Sequence, residues 1–253
     1  MKLPSVTQAF LIHFAISVAV FCALVAVMVF SWLPGELFFM EGGWDGIKII
    51  APIDLVLGPA LTLIFYRPWK KNVRFDMSFI VFLQVAALGY GVYTAHGQRT
   101  AAIVFAEHRF ETVTYNEFKA AQRISRENHR HPKSIDELGG KMPLLVYAEP
   151  FKGDDHIKYM EEALNGDLEL RERSDRYRPL DTLTTELDEF RQPAAASAND
   201  TVAGAVSGVI KEVPAASKLQ TGELQVPIKT ISATGILTLD PDTYEITGIS
   251  RDG

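Results

Sequence analysis

At 253 residues the chain has room for a membrane part and one soluble domain of ordinary size. Its net charge is −6, and the acid lies late: up to Ala95 there are six basic and five acidic residues, after it 19 basic and 26 acidic, which argues against a nucleic-acid partner. The single cysteine, Cys22, excludes an intrachain disulfide and a cysteine metal cluster but does not identify the compartment.

The first apolar run covers residues 9–33 and holds no Asp, Glu, Lys or Arg. About 20 residues cross a hydrocarbon core of about 30 Å. A signal peptide is the rival reading, but its apolar core is usually about 7–15 residues. The longer run, followed by SWLPGEL, favours an uncleaved transmembrane helix. Ala15, Ala19 and Ala23 repeat at four-residue spacing, a face on which another helix can pack closely.

An acidic loop follows, with Glu36, Glu41 and Asp45 against Lys48. A second apolar run spans about residues 49–66 and a third about 77–95. Between them lie Arg67, Lys70, Lys71 and Arg74. Basic loops stay on the cytoplasmic side, so this connection and the N-terminus are expected inside, with everything after Ala95 outside. Ala87, Gly91 and Ala95 form a second small-residue stripe.

The soluble part opens with β-branched and aromatic residues over 99–114, read as one strand or a hairpin. A helix is expected over about 115–128, ending before Pro132, with Lys119, Arg123, Arg126 and Arg130 on one face. Such a basic face is either solvated or a contact for lipid phosphates or an acidic partner. Ser134 and Glu137 fit a capping box, closed by Gly139-Gly140. A buried strand is expected over 144–148, a helix from Asp154 to near Asn165, and another over 181–191. Residues 193–218 turn to Ala, Ser, Gly and Val and read as a loop or linker. ISATGILTLD and TYEITGIS, around Pro241-Asp242, predict a closing hairpin within residues 228–249. The expected architecture is a three-transmembrane-helix N-terminal bundle over residues 1–95, followed by an α+β periplasmic domain over 96–253.

Asp54 is the sharpest site candidate. A helix starting at Ile49 would place it about 7 Å below the surface, at the depth of the Tyr90 hydroxyl. Three roles are open: a first-turn carboxylate behind an N1 proline, Pro52; an intramembrane contact; or a proton relay, for which Gln84, Thr62 and Tyr90 are the polar neighbours noted. Pro59 removes a backbone donor and predicts a kink, and Gly58 beside it leaves either a groove for a further helix or a packing point for the protein's own helices. His129 and His131, with His108 and His156, lack the pattern of a metal site. No phosphate loop, nucleophile elbow, HExxH or dinucleotide fingerprint occurs, so the chain is read as non-enzymatic and without cofactor.

Several blocks together carry a resemblance. They are Pro34-Gly35, Leu37-Phe38, Gly42-Gly43-Trp44, DLVLGPALTLI from Asp54 to Ile64, Phe75-Asp76, Gln84, Tyr90-Gly91, Tyr93, and VFAEHRF from Val104 to Phe110. Over roughly residues 5–120 the chain resembles the TfpX/TfpZ family of type IV pilin accessory proteins; after that the likeness is loose. The resemblance implies a Gram-negative inner-membrane protein that assists pilin production, stability or pilus assembly, with no catalytic residue. Type IV pilin is then the expected partner, with other pilus assembly proteins and membrane lipid as further ones. Gly42, Gly43, Trp44, Asp54, Gly58, Pro59, Tyr90 and Gly91 are the expected partner or structural hot spots. A membrane sensor or transporter subunit with an intramembrane carboxylate, and a membrane-anchored periplasmic enzyme, are the alternatives.

Overall fold

A computed structural model describes residues 5–33, 35–183 and 223–251. The chain divides into two compact units, Met1–Arg99 and Thr100–Gly253. The first holds three helices long and apolar enough to cross a membrane: α1 (Val6–Trp32), α2 (Gly43–Phe65) and α3 (Val73–Gln98). At 1.5 Å per residue each is roughly 35–40 Å long, more than a hydrocarbon core requires.

Each span starts earlier than hydropathy indicates, because its polar first turn is helical too. Ser5 caps α1 reciprocally with Gln8: the Gln8 N–H donates to Ser5 Oγ at 3.2 Å, and the Ser5 N–H to Gln8 Oε1 at 2.9 Å. Gly42 begins α2 with φ at +75°, a left-handed conformation that glycine adopts without strain. Asp45 follows in the first turn, where a carboxylate suits the helix dipole, and pairs with Lys48 at 2.9 Å. Asp76 does the same on α3 and pairs with Lys70. A single helical turn, Leu37–Met40, lies between α1 and α2 and is buried at Leu37, Phe38 and Met40.

The expected kink at Pro59 is absorbed by a wider turn just before it. Residues Pro52–Leu57 form a π-helical turn, and the Gly58 N–H reaches back to the Ile53 carbonyl. Proline lacks the N–H that would have continued the α-helical ladder, and a one-residue bulge is a way to re-register it. A similar turn, Met28–Trp32, closes α1, with the Leu33 N–H on the Met28 carbonyl at 2.9 Å.

The second unit is built on a mixed seven-stranded sheet. Its strands are β1 (Thr100–Ala106), β2 (Arg109–Thr114), β3 (Leu144–Ala148), β4 (Tyr177–Pro179), β5 (Leu224–Lys229), β6 (Thr234–Leu239) and β7 (Ile246–Arg251), in the order β4-β3-β1-β2-β5-β6-β7. Of the two readings of 99–114, one strand or a hairpin, the hairpin β1–β2 is the one observed, and the closing hairpin is β6–β7. β1 is buried at every position, as befits an inner strand, and it pairs in parallel with β3. The N-terminal and C-terminal strands join through a short parallel pairing of β2 with β5, Phe110 opposite Ile228 and Glu111 opposite Lys229.

Two helices complete this unit, α4 (Tyr115–Glu127) and α5 (Asp154–Leu164). Thr114 and Glu117 form a capping box at the start of α4. Phe118 and Ala121 of α4 and Tyr159 of α5 enter the same core as Ala102, Val104, Val146 and Tyr177. The expected box of Ser134 with Glu137 is present, and Gly139 and Gly140 take positive φ after it. Only the start of the expected 181–191 helix is described, as a 3-10 turn over Leu180–Thr182. The rest of it, the 193–218 stretch and Pro34 lie outside the described residues.

Candidate functional site

The apolar unit carries a row of polar groups facing inward. Asp54, Gly58 and Thr62 follow each other at four-residue intervals, so they share one face of α2. All three are buried, as is Pro59 beside them. The row extends about 12 Å along the helix. α1 packs against this face and contributes His13 and, one turn on, the buried Ser17. α3 contributes Gln84.

Hydrogen bonding defines one end of the row. The Thr62 hydroxyl donates to the Gly58 carbonyl at 3.3 Å, a back-bond common for threonine in helices. The same hydroxyl also meets His13 Nδ1 of α1.

Gly58 is where α3 comes closest. A Cβ built there would lie 1.7 Å from Gln84 Nε2 and 2.5 Å from Gln84 Cδ, so the glutamine amide occupies the space a side chain would need. Of the two readings of Gly58-Pro59, the packing point for the protein's own helices is the one observed; the glycine is covered rather than open to a further helix.

Asp54 sits at the other end. It is not a first-turn carboxylate behind an N1 proline: α2 starts at Gly43, and Pro52 lies mid-helix. Only 9% of the residue is exposed, and its Oδ2 is buried without a hydrogen-bond partner among the described residues. Tyr90 does not meet it. Tyr90 is 73% exposed, and Tyr93 is exposed as well. Gly91 does face α2, with Ile50 Cδ1 at 3.9 Å from the position of an added Cβ.

The Gly42-Gly43-Trp44 motif divides by role. Gly42 supplies the left-handed turn. A Cβ on Gly43 would meet the Phe38 ring at 2.5 Å and the Phe38 carbonyl oxygen at 2.6 Å, so both glycines are structural. Trp44 is half exposed. The stripe of Ala15, Ala19 and Ala23 is exposed on α1, whereas Gly91 and Ala95 on α3 are half-buried.

In the second unit the clustered charges are paired with one another. Arg130 lies beyond the end of α4, not on its basic face, and binds Glu162 at 3.1 Å and Asp167. The guanidinium holds the Asp167 carboxyl below the usual carboxylate range. Arg171 bridges Glu111 at 3.3 Å and Glu169 at 2.8 Å and donates to the Thr112 carbonyl at 3.2 Å. Burial raises the neighbouring Glu172 carboxyl. Tyr177 is fully buried, its hydroxyl donates to the Arg171 carbonyl, and burial pushes its ionisation far up. Among the described residues no group of three or more His, Cys, Asp or Glu is placed to hold a metal.

Comparison with known proteins decides the relationship. Over 96 residues the chain is 35% identical to the fimbrial assembly protein of serogroups C1 and C2 from Dichelobacter nodosus, covering 73% of that protein and 37% of this one. The chain belongs to the fimbrial assembly protein family. The serogroup E1 protein of the same organism is 36% identical over 96 residues, and the serogroup I protein 33% over 105. The matched stretch spans little more than a third of the length of those two relatives, 37% and 41%. No family model and no solved structure matches.

His13 and Ser17 were missed by the sequence reading. The signal was there: a histidine inside an otherwise uncharged apolar run, with a serine four residues later.

Proposed function

We propose that this chain is an inner-membrane accessory protein of type IV pilus biogenesis that binds or stabilises pilin and aids its assembly without catalysis. The observation that carries the reading is the similarity to fimbrial assembly proteins. The motif blocks support the narrower TfpX/TfpZ assignment. Three apolar helices and a separate mixed-sheet unit match the layout of a client with one helix in lipid and a head outside. In this reading the basic connection of Arg67, Lys70, Lys71 and Arg74 stays in the cytoplasm and the sheet unit lies in the periplasm. The pairing of Arg130 and Arg171 with carboxylates supports a structural rather than catalytic use of those charges.

In-cell photo-crosslinking tests the partner. A crosslinker is placed at Leu57, which is exposed on α2, rather than at Gly58, which Gln84 covers. Capture of the cell's own pilin at Leu57 is the expected result. Capture only of unrelated membrane proteins contradicts the reading.

A second reading, a sensor or transporter subunit, gains from one finding. His13 and Ser17 add to the polar positions Gln84 and Thr62 noted beside Asp54 in the sequence. Asp54→Asn that abolishes function while leaving pilin crosslinking intact favours that reading.

A further inference from the structure

Helix α5 is apolar on two sides, and only one of them is packed. Tyr159 is buried and Ala163 half-buried against the core of the sheet unit. Ile157, Met160 and Leu164 lie off that packed side and are 68%, 45% and 85% exposed. At 100° per residue the three fall within about 60° of one another, a single stripe along the helix. Ile231, in the turn between β5 and β6 and itself exposed, lines the same cavity as Met160 and widens the stripe. Single exposed apolar side chains are ordinary, but a contiguous set on one face marks a surface that another molecule covers.

The charges around the stripe decide what can cover it. Asp154 and Glu161 lie about 40–60° from Ile157, on the side away from Met160. Both are exposed, and neither has an ion-pair partner among the described residues, whereas Glu162 is taken up by Arg130 and Lys158. On the Met160 side the cavity is lined by the carboxylates of Glu107, Glu111, Glu117 and Glu169 against Arg109, Arg171 and Lys229. A helix that lies on a lipid surface carries Lys and Arg beside its apolar stripe; α5 carries carboxylates there, so an anionic bilayer surface is disfavoured. A second copy apposed through the same stripe would bring the same carboxylates together, and like charges disfavour that arrangement too. A basic protein surface suits both the stripe and its border.

We propose that the α5 stripe of Ile157, Met160 and Leu164, with Ile231 beside it, is a docking surface for a segment of a partner protein that presents apolar side chains bordered by Lys or Arg. Apolar burial supplies the affinity, and the acidic border selects the basic partner. The inference rests on the reading above only in taking pilin as the partner tested.

The experiment uses the full chain in cells, with a photo-crosslinker at Leu164 or, in parallel, at Leu57, and pilin capture as readout. Pilin is expected at Leu164, joined through a segment in which apolar residues adjoin Lys or Arg. Variants are compared at matched protein level. Ile157→Ser changes an exposed position and is expected to lower capture at Leu164 roughly tenfold, the loss of one aliphatic side chain from the contact. Asp154→Lys combined with Glu161→Lys is expected to lower it about threefold. Capture at Leu164 unchanged by either variant overturns the inference. So does capture there mainly of a second copy of this chain, of lipid, or of residues 184–222 of the same chain. Pilin captured at Leu57 but not at Leu164 overturns it while leaving the accessory reading standing. No pilin at either position removes both.

Discussion

Glycine tolerance separates close approaches that the sequence shows only as motifs. At Gly43 an added methyl meets a backbone carbonyl oxygen at 2.6 Å as well as a ring, and backbone cannot swing aside. At Gly58 the obstacle is the far end of Gln84, which can rotate away. Gly43→Ala is therefore expected to cost about 1–3 kcal/mol, the range for overpacking, and Gly58→Ala less. Thermal aggregation of the detergent-solubilised protein measures both; equal midpoints for the two variants contradict this ranking. The sequence marked both glycines, because a GGW before an apolar run and a GP within one are unusual. It did not show what stood over them, since Phe38 and Gln84 reach them through turns and helix packing that spacing does not encode. His13 shows the reverse failure. Its residue type was visible, but its use depends on which face of α1 meets Thr62.

At the level of elements, strong periodic segments were legible and breaks were not. The β1–β2 and β6–β7 hairpins, β3, α4 and α5 fall where alternation and caps place them. β5 was not read as a strand, and Pro227 interrupts the alternation a strand shows. Its pairing with β2 begins at Ile228, just past the residue that has no N–H to donate. Arg130 was assigned to a basic helical face because its spacing continues that of α4, yet the helix stops at Glu127 and His129 takes φ of +56°. The arginine instead ties the end of α4 to Glu162 on α5 and to Asp167 beyond it. Breaking such a largely buried pair by Asp167→Asn is expected to cost about 3 kcal/mol at neutral pH. The sign with pH follows from the depressed Asp167 ionisation. Its stabilisation is fully present above the ordinary carboxylate range, about pH 4, and is lost as pH falls through the lower folded-state value. Denaturation midpoints of parent and variant should differ at pH 7 and converge in acid. A constant difference across that window contradicts the assignment.

For the whole molecule, the account depends on topology and on a client. Three spans with the basic connection inside predict a cytoplasmic reporter signal for a fusion after Asn72 and a periplasmic one after Gly153. Reversal at either site contradicts the orientation. The two-unit plan was legible from charge and hydropathy alone, since the apolar residues lie early and the charges late. The proposed role of the chain in fimbrial biogenesis was not carried by any chemistry a sequence or fold displays; it rests on similarity to fimbrial assembly proteins. The most direct measurement is therefore made in a strain deleted for this gene, with pilin level and surface pili quantified before and after complementation by the full chain. The account predicts that deletion lowers pilin, surface pili or both, and that the full chain restores them. Pilin and surface pili at parental levels in the deletion strain would contradict it.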